Sequence, residues 1–354
     1  VNVRELAQLV SLWSLASLDT GSKTLTFSED DGKELTVSFE GLHCAAESVA
    51  PGTKIGLTEP VAVAGDKLTS ALAIFDQEEE AKLTLSRGQL VLAVAKSTMA
   101  FNIQKSRRYQ AKSITPTCSA GCTRDGIRPL IAFLDQVAAK RMHSPVLTGV
   151  NISVVKGKLV LQATDGIGRA AIVPYVPTTI SKNEDKPHVT APVADLLTAI
   201  SLMDPEFSIQ FNSSHIVLHD TRTRVVLSAL SGQYPGLGTL PRTFKYTVKV
   251  PASAIAAAER AAAILDANRV VRFRVREGTS GFIVADKEVG TFVTTMDTQA
   301  VPDIELNFDA EFLGVAKQLA SELTIHYTDP RSIVLIDAPD TPYKYWMPLT
   351  YRAV

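Results

Sequence analysis

One pattern recurs three times along the chain and limits the folds open to it more than any other feature. Arg4-Glu-Leu-Ala-Gln-Leu-Val10, Arg128-Pro-Leu-Ile-Ala-Phe-Leu134 and Ser253-Ala-Ile-Ala-Ala-Ala-Glu-Arg260 each open a helix-like stretch, with Leu6, Leu130 and Ile255 in matching places. A second helix-like stretch follows in each copy, starting near Gly65, Val193 and Asp309, where Leu68, Leu196 and Phe312 correspond. A short apolar segment precedes every second helix: Pro60 to Ala64, Pro187 to Ala191, Ile304 to Phe308. Two alternating runs around a turn follow it, as in Phe207-Ser-Ile-Gln-Phe and His215-Ile-Val-Leu-His about Asn212-Ser-Ser, and this predicts hairpins.

The chain of 354 residues therefore reads as three α+β units, 1–120, 121–245 and 246–354. The plainer alternative is three helix-on-sheet domains that merely share a common pattern. The matched order of helices and hairpins argues for a true repeat.

Composition narrows the class. With 45% hydrophobic residues, 20 Gly and 18 Pro, a disordered or collagen-like chain is excluded. The apolar runs are far shorter than the roughly 18 residues needed to cross a bilayer, so no membrane association and a cytoplasmic location are expected. Three cysteines, Cys44, Cys118 and Cys122, cannot all pair within one chain and suit a reducing compartment. A net charge of -1 supplies no overall attraction to a polyanion, so any nucleic-acid role must rest on local placement of charge.

Each unit offers a sheet with two amphipathic helices on one face. Units joined edge to edge form an arc, and two arcs related by a two-fold axis close into a ring without free sheet edges. Helices lining such a ring have a use if they carry Lys and Arg, because phosphates attract them without regard to sequence. The first helix of the second unit is expected to carry Arg124, Arg128, Lys140 and Arg141; Lys23, Lys67, Arg260 and Lys317 are further candidates. The bland reading of any one of them is a solvated surface charge.

Ser144-Pro-Val-Leu-Thr-Gly-Val150, Gly157-Lys-Leu-Val-Leu-Gln-Ala-Thr-Asp-Gly166, Ser231-Gly-Gln-Tyr-Pro235, Ala261-Ala-Ala-Ile-Leu265 and Tyr345-Trp-Met-Pro-Leu349 resemble, in order and spacing, the bacterial DNA polymerase III beta subunit family, the DNA sliding clamps. The resemblance implies the DNA clamp fold, three repeated α+β domains with helices lining a ring and sheets outside. It also implies a head-to-tail homodimer that encircles duplex DNA and holds a replicative polymerase and clamp loader through short peptides. The peptide groove would use Leu147, Thr164, Gly166, Arg169, Pro235, Leu240, Met347, Pro348 and Leu349. Dimer closure would set Phe101 and Ile103 against Ile264 and Leu265. Outside the family match, these are ordinary core and turn residues. Where the family continues Thr-Asp-Gly with His-Arg-Leu-Ala, this chain has Ile167-Gly-Arg-Ala170, which alters one wall of the groove.

Signals for chemistry are weak. Gly166-Ile-Gly-Arg-Ala-Ala171 imitates a dinucleotide fingerprint, but Pro174 and Pro177 forbid the helix that it requires. Cys118 and Cys122 could join His43 and Cys44 at zinc, though the spacing is loose. His215 and His219 lie in a strand-like run that would set them roughly 13 Å apart, too far for one metal. No cofactor, no metal and no enzyme activity are expected. The competing functional readings are a non-ring interaction scaffold built from the same repeats and a hydrolase.

Overall fold

The computed structural model describes residues 3–16, 24–29, 34–110, 113–140, 144–183, 187–265, 269–297 and 302–350. Its helices are α1 (Val3–Val10), α2 (Trp13–Ala16), α3 (Gly65–Leu72), α4 (Arg124–Val137), α5 (Val193–Leu202), α6 (Ala252–Leu265) and α7 (Ala310–Ala316). The chain divides into two compact units, one of residues 1–129 and 177–230, the other of residues 130–176 and 231–354.

The expected order recurs in the structure. The apolar segments ahead of the second helices are strands Val61–Ala64, His188–Pro192 and Ile304–Asp309, leading into α3, α5 and α7. Each is followed by a hairpin: Ala81–Ser86 with Gln89–Val94, Glu206–Phe211 with His215–His219, and Glu322–Tyr327 with Val334–Asp337. Asn212 Oδ1 pins the middle turn by accepting from the N–H groups of Ser214 and His215, both at 2.9 Å.

Two positional correspondences change. In α3, α5 and α7 the buried positions equivalent to Leu68 and Leu196 lead to Leu313, while Phe312 is half-buried. Phe312 was mismatched because the third helix starts one residue later than its apolar pattern suggests. Likewise Ile127, not Leu130, takes the place of Ile255: α4 begins at Arg124, so Pro129 falls inside the helix, and Leu130 is left half-buried. Helix α4 ends at Val137, which sets Lys140 beyond it.

In the first unit a ten-stranded sheet runs from Thr179–Lys182 through Cys118–Thr123, Glu206–Phe211, His215–His219, Thr223–Ser228, Cys44–Ala50, Leu35–Glu40, Thr24–Glu29 and Val61–Ala64 to Gln104–Lys105. The seam between the first and second thirds of the sequence is an ordinary antiparallel ladder, Thr223↔Ser48 through Leu227↔Cys44. Strand alternation sorts residues into rows across it. Ala46, Val225, Leu218, Ile209 and Ala120 form one fully buried row. The next row is polar: Glu47, Arg224, His219 and Ser208, with the Ser208 hydroxyl 2.5 Å from His219 Nε2. Ala81–Ser86, Gln89–Val94 and Ser97–Asn102 make a separate three-stranded sheet, and α1 packs on α3.

In the second unit, Gly149–Val155, Lys158–Thr164, Ala170–Tyr175, Lys344–Met347, Val334–Asp337, Glu322–Tyr327 and Tyr246–Pro251 are consecutive neighbours of one sheet. Here Ala170–Tyr175 joins Lys344–Met347, so the middle and last thirds of the sequence also share a sheet. A second sheet holds Gly290–Val293, Thr279–Asp286, Val270–Arg276 and Ile304–Asp309 in order. Helix α6 buries Ala254, Ala258, Ala261 and Ala262, small side chains that let α7 approach. At that contact Gly314 leaves room for Glu259: a Cβ there would lie 2.5 Å from the Glu259 carboxyl carbon.

Candidate functional site

The proposed groove residues fall in the second unit, and a five-residue loop organises them. Strand Lys158–Thr164 ends at Thr164, strand Ala170–Tyr175 begins at Ala170, and the turn between them is built around Asp165. Asp165 Oδ1 accepts from the N–H groups of Ile167 (3.0 Å), Gly168 (3.0 Å) and Arg169 (2.9 Å). Its other oxygen accepts from Arg169 Nε at 2.7 Å, and the Thr164 hydroxyl donates to the Arg169 carbonyl at 2.6 Å. A buried carboxylate is tolerated here because three backbone N–H groups and the Arg169 guanidinium donate to it.

Arg169 extends from this turn to both flanking helices. Its guanidinium donates to the Gln136 carbonyl in α4 (3.1 Å) and stacks 4.1 Å over the Phe312 ring of α7. Tyr345 completes the support from below: its hydroxyl donates to the Phe312 carbonyl at 3.0 Å and its ring meets Phe133 edge to face at 6.0 Å. Burial, opposed in part by the nearby Arg169 charge, pushes the Tyr345 phenol above its ordinary range.

Gly168 carries a φ of +158°, and a Cβ on it would lie 3.0 Å from Pro348 Cγ, so glycine lets the loop close onto the C-terminal strand. Leu147 sits in the 3₁₀ turn Pro145–Thr148, and its carbonyl accepts from the Ala139 N–H at 3.0 Å. Pro235 is exposed, and its neighbour Tyr234 is anchored by a 3.3 Å bond from its hydroxyl to the Gln162 carbonyl. Leu237, Leu240, Phe244, Ile172 and Ile333 are half-buried around a cluster of Trp346, Ala170 and Leu335. Trp346 fixes the covering segment by donating Nε1–H to the Pro241 carbonyl at 3.0 Å.

Met347 and Leu349 are buried, at 0% and 6% exposure. Alternation turns Met347 to the opposite strand face from Trp346, and since Trp346 is itself buried, the half-buried Leu237, Leu240 and Phe244 packed over it present the apolar surface on this side. Asp165, Trp346, Leu237 and Phe244 were absent from the sequence-based set. The Thr-Asp-Gly turn with Arg169 four residues after the carboxylate was the signal for Asp165; the other three carry no local signal.

The basic candidates are largely engaged within the protein. Arg124 donates to the Met203 carbonyl at the end of α5 (3.0 Å), and Arg128 Nε donates to the Ser201 hydroxyl (3.1 Å). Cations at a helix C-terminus satisfy its orphan carbonyls and oppose its dipole. Lys67 pairs with Asp66, Lys140 with Asp135, and Lys317 with Glu259. Arg260 is exposed on α6, whereas Lys23 and Arg141 lie outside the described residues. Of the expected dimer residues, Phe101 and Ile103 are half-buried in the first unit; in the second, Ile264 is 76% exposed and Leu265 half-buried at the end of α6.

The cysteines are buried and form no disulfide, and no cluster of His, Cys, Asp or Glu suited to a metal occurs among the described residues. Cys118 and Cys122 share one strand, as do His215 and His219. The Gly166–Ala171 segment turns into a strand and not a helix. No helix among the described residues is long and apolar enough to cross a membrane.

No protein-family model and no curated protein sequence matches the chain. Solved structures do. A Pseudomonas aeruginosa DNA polymerase sliding clamp with ligand superposes with a TM-score of 0.86 at 16% identity, covering 99% of each chain. A Helicobacter pylori beta clamp bound to a DNA ligase peptide gives 0.85 at 14% identity over 99% of each chain. The Thermotoga maritima DNA polymerase III beta subunit gives 0.83 at 18% identity over 100% of this chain and 99% of that one. The similarity of arrangement thus spans the chain from end to end while the residues have diverged, and the fold is that of the bacterial DNA polymerase III beta subunit, the DNA sliding clamp.

Proposed function

We propose that the protein is a DNA sliding clamp, a processivity factor without catalytic activity, whose two copies join head to tail and enclose duplex DNA. The domains would be 1–120, 121–245 and 246–354, with the helices facing the DNA. The observation that carries this reading is the full-length likeness to clamp structures at TM-scores of 0.83 to 0.86.

Two features support it. Ser97–Asn102 and Gly290–Val293 are each the last strand of a sheet among the described residues, so each offers unpaired backbone groups to a second chain. Phe101 and Ile103 near one edge, and Ile264 and Leu265 near the other, supply apolar cover for that joint. The groove around Leu240, Trp346 and the Asp165 loop has the apolar surface and fixed polar rim that suit a short peptide, and the Helicobacter pylori clamp is described with one bound. By that likeness the polymerase and clamp loader would dock there. The location would be cytoplasmic, with the DNA. Enclosure needs no deep energy well at any base; screened attraction from exposed basic side chains such as Arg260 lets the ring move.

The test has two parts. The solution mass should be twice 38.1 kDa, and clamp loaded on nicked circular DNA should stay bound until the circle is cut. A monomer that leaves circles and linear DNA equally would instead be an interaction scaffold. For the groove, Leu240→Asp should weaken binding of a clamp-binding peptide about tenfold or more while leaving the dimer intact; unchanged affinity removes the groove assignment.

A further inference from the structure

The first unit contains a cavity of about 560 Å³ that the clamp reading does not use. It lies over the ladder joining the first and second thirds of the sequence. Helix α1 forms one side, with Arg4 and Gln8, and the end of α5 forms another, with Ser201 through Asp204. Its floor includes Ser48 and Thr223, cross-strand partners whose buried hydroxyls are 3.1 Å apart. The size lies within the roughly 300–1,000 Å³ of small-molecule sites.

The charges in the lining are arranged by position. Three arginines line the cavity: Arg4 of α1, Arg124 of α4 and Arg222 of the turn before strand Thr223–Ser228. Each retains donors: a guanidinium has five N–H groups, Arg124 spends one on the Met203 carbonyl, and Arg4 pairs with Glu78. No ion pair engages Arg222 among the described residues, and its main chain is fixed by the Asp220 carboxylate (2.8 Å) and by the Val49 N–H donating to its carbonyl (3.0 Å). Two carboxylates, Glu5 and Asp204, also line the space; Asp204 accepts from the Thr221 hydroxyl at 3.2 Å. Several arginines around one cavity suit a phosphate, whereas the carboxylates call for a ligand with hydrogen-bond donors at its other end. Leu9, Val49 and Leu202 add apolar wall.

We propose that this cavity binds a nucleotide, its phosphate held by Arg4, Arg124 and Arg222 and its sugar or base donors by Glu5 and Asp204. The phosphate can belong to a free nucleotide or to a nucleic-acid strand. A bound ligand touches α1, α5 and both strands of the ladder, so it stabilises that joint by mass action. This does not depend on ring closure, and retention on circular DNA reads the clamp function separately.

The test is calorimetric titration of the full chain with ATP, inorganic phosphate and a short DNA duplex, together with the unfolding midpoint. ATP should bind and raise the midpoint, with inorganic phosphate about tenfold weaker or more. Arg222→Gln should weaken ATP binding about tenfold, and Gln8→Trp, which fills the cavity from an exposed helix position, should abolish it. If the duplex alone binds and is lost in both variants, the phosphate comes from nucleic acid. Absence of ATP and duplex binding at millimolar concentration, or binding unchanged in both variants, overturns the proposal.

Discussion

Asp165 does more for the candidate groove than any residue named for it from sequence. Its side chain and that of Arg169 are only 5% and 12% exposed, and removing one member of a buried pair strands the other. Asp165→Ala should therefore destabilise the protein by about 3 to 5 kcal/mol in urea unfolding, with Arg169 left unpaired beneath the loop. A loss under about 1 kcal/mol would mean that solvent reaches the loop freely. The Thr-Asp-Gly motif was visible in the sequence as a family signature, but its function as an internal cap was not, since that requires knowing that three N–H groups converge. Cys118 is legible in a different way. Burial pushes its thiol up to about 11, so it stays protonated at neutral pH, where the thiolate is the reactive form. A thiol-alkylating reagent at pH 8 should leave Cys118 unmodified in the native protein and label it after denaturation.

Among the elements, strands and hairpins were the most legible, because alternation is a local signal and Pro174 and Pro177 ruled out the competing helix. Helix registers were less so: the repeat pattern opens its helix-like stretch at Arg128, yet α4 begins at Arg124, and one residue of offset moved the third-copy match from Leu313 to Phe312. Pairing between distant strands left no local trace at all. The ladder of Cys44–Ala50 on Thr223–Ser228 is the main case, and it contains a titratable group. Burial raises the Glu47 carboxyl above its ordinary 4.5, more than the Arg224 charge opposite lowers it. The folded protein then holds a proton that the unfolded chain has released, so this contribution is present below pH 4.5 and is lost as pH rises through the folded value. Glu47→Gln should consequently lose less stability between pH 4.5 and neutrality than the parent, measured by guanidinium midpoints; parallel curves would place Glu47 in open solvent.

At the scale of the whole molecule, the fold class could be read from the sequence, and the full-length superposition on clamp structures agrees with it. The groove could be approached only through resemblance, because Leu147, Leu240 and Met347 are separated by most of a domain and each alone is an unremarkable apolar residue. Assembly is testable at Ile264, which is 76% exposed. Ile264→Glu places a charge at the proposed joint without disturbing the core, and light scattering should show the mass falling from twice 38.1 kDa to that value while the protein still unfolds cooperatively, at a midpoint lowered only by the loss of its partner. A dimer that persists unchanged would move the joint elsewhere.

The ten-stranded sheet of the first unit has a bearing on modularity. A chain severed near residue 120 would bare the Cys44–Ala50 strand on one fragment and the Thr223–Ser228 strand on the other, each with a full row of unanswered donors and acceptors. The first two thirds of this protein are thus not interchangeable parts on a string: gene fusions, truncations or domain swaps cut at that point sever a β-sheet.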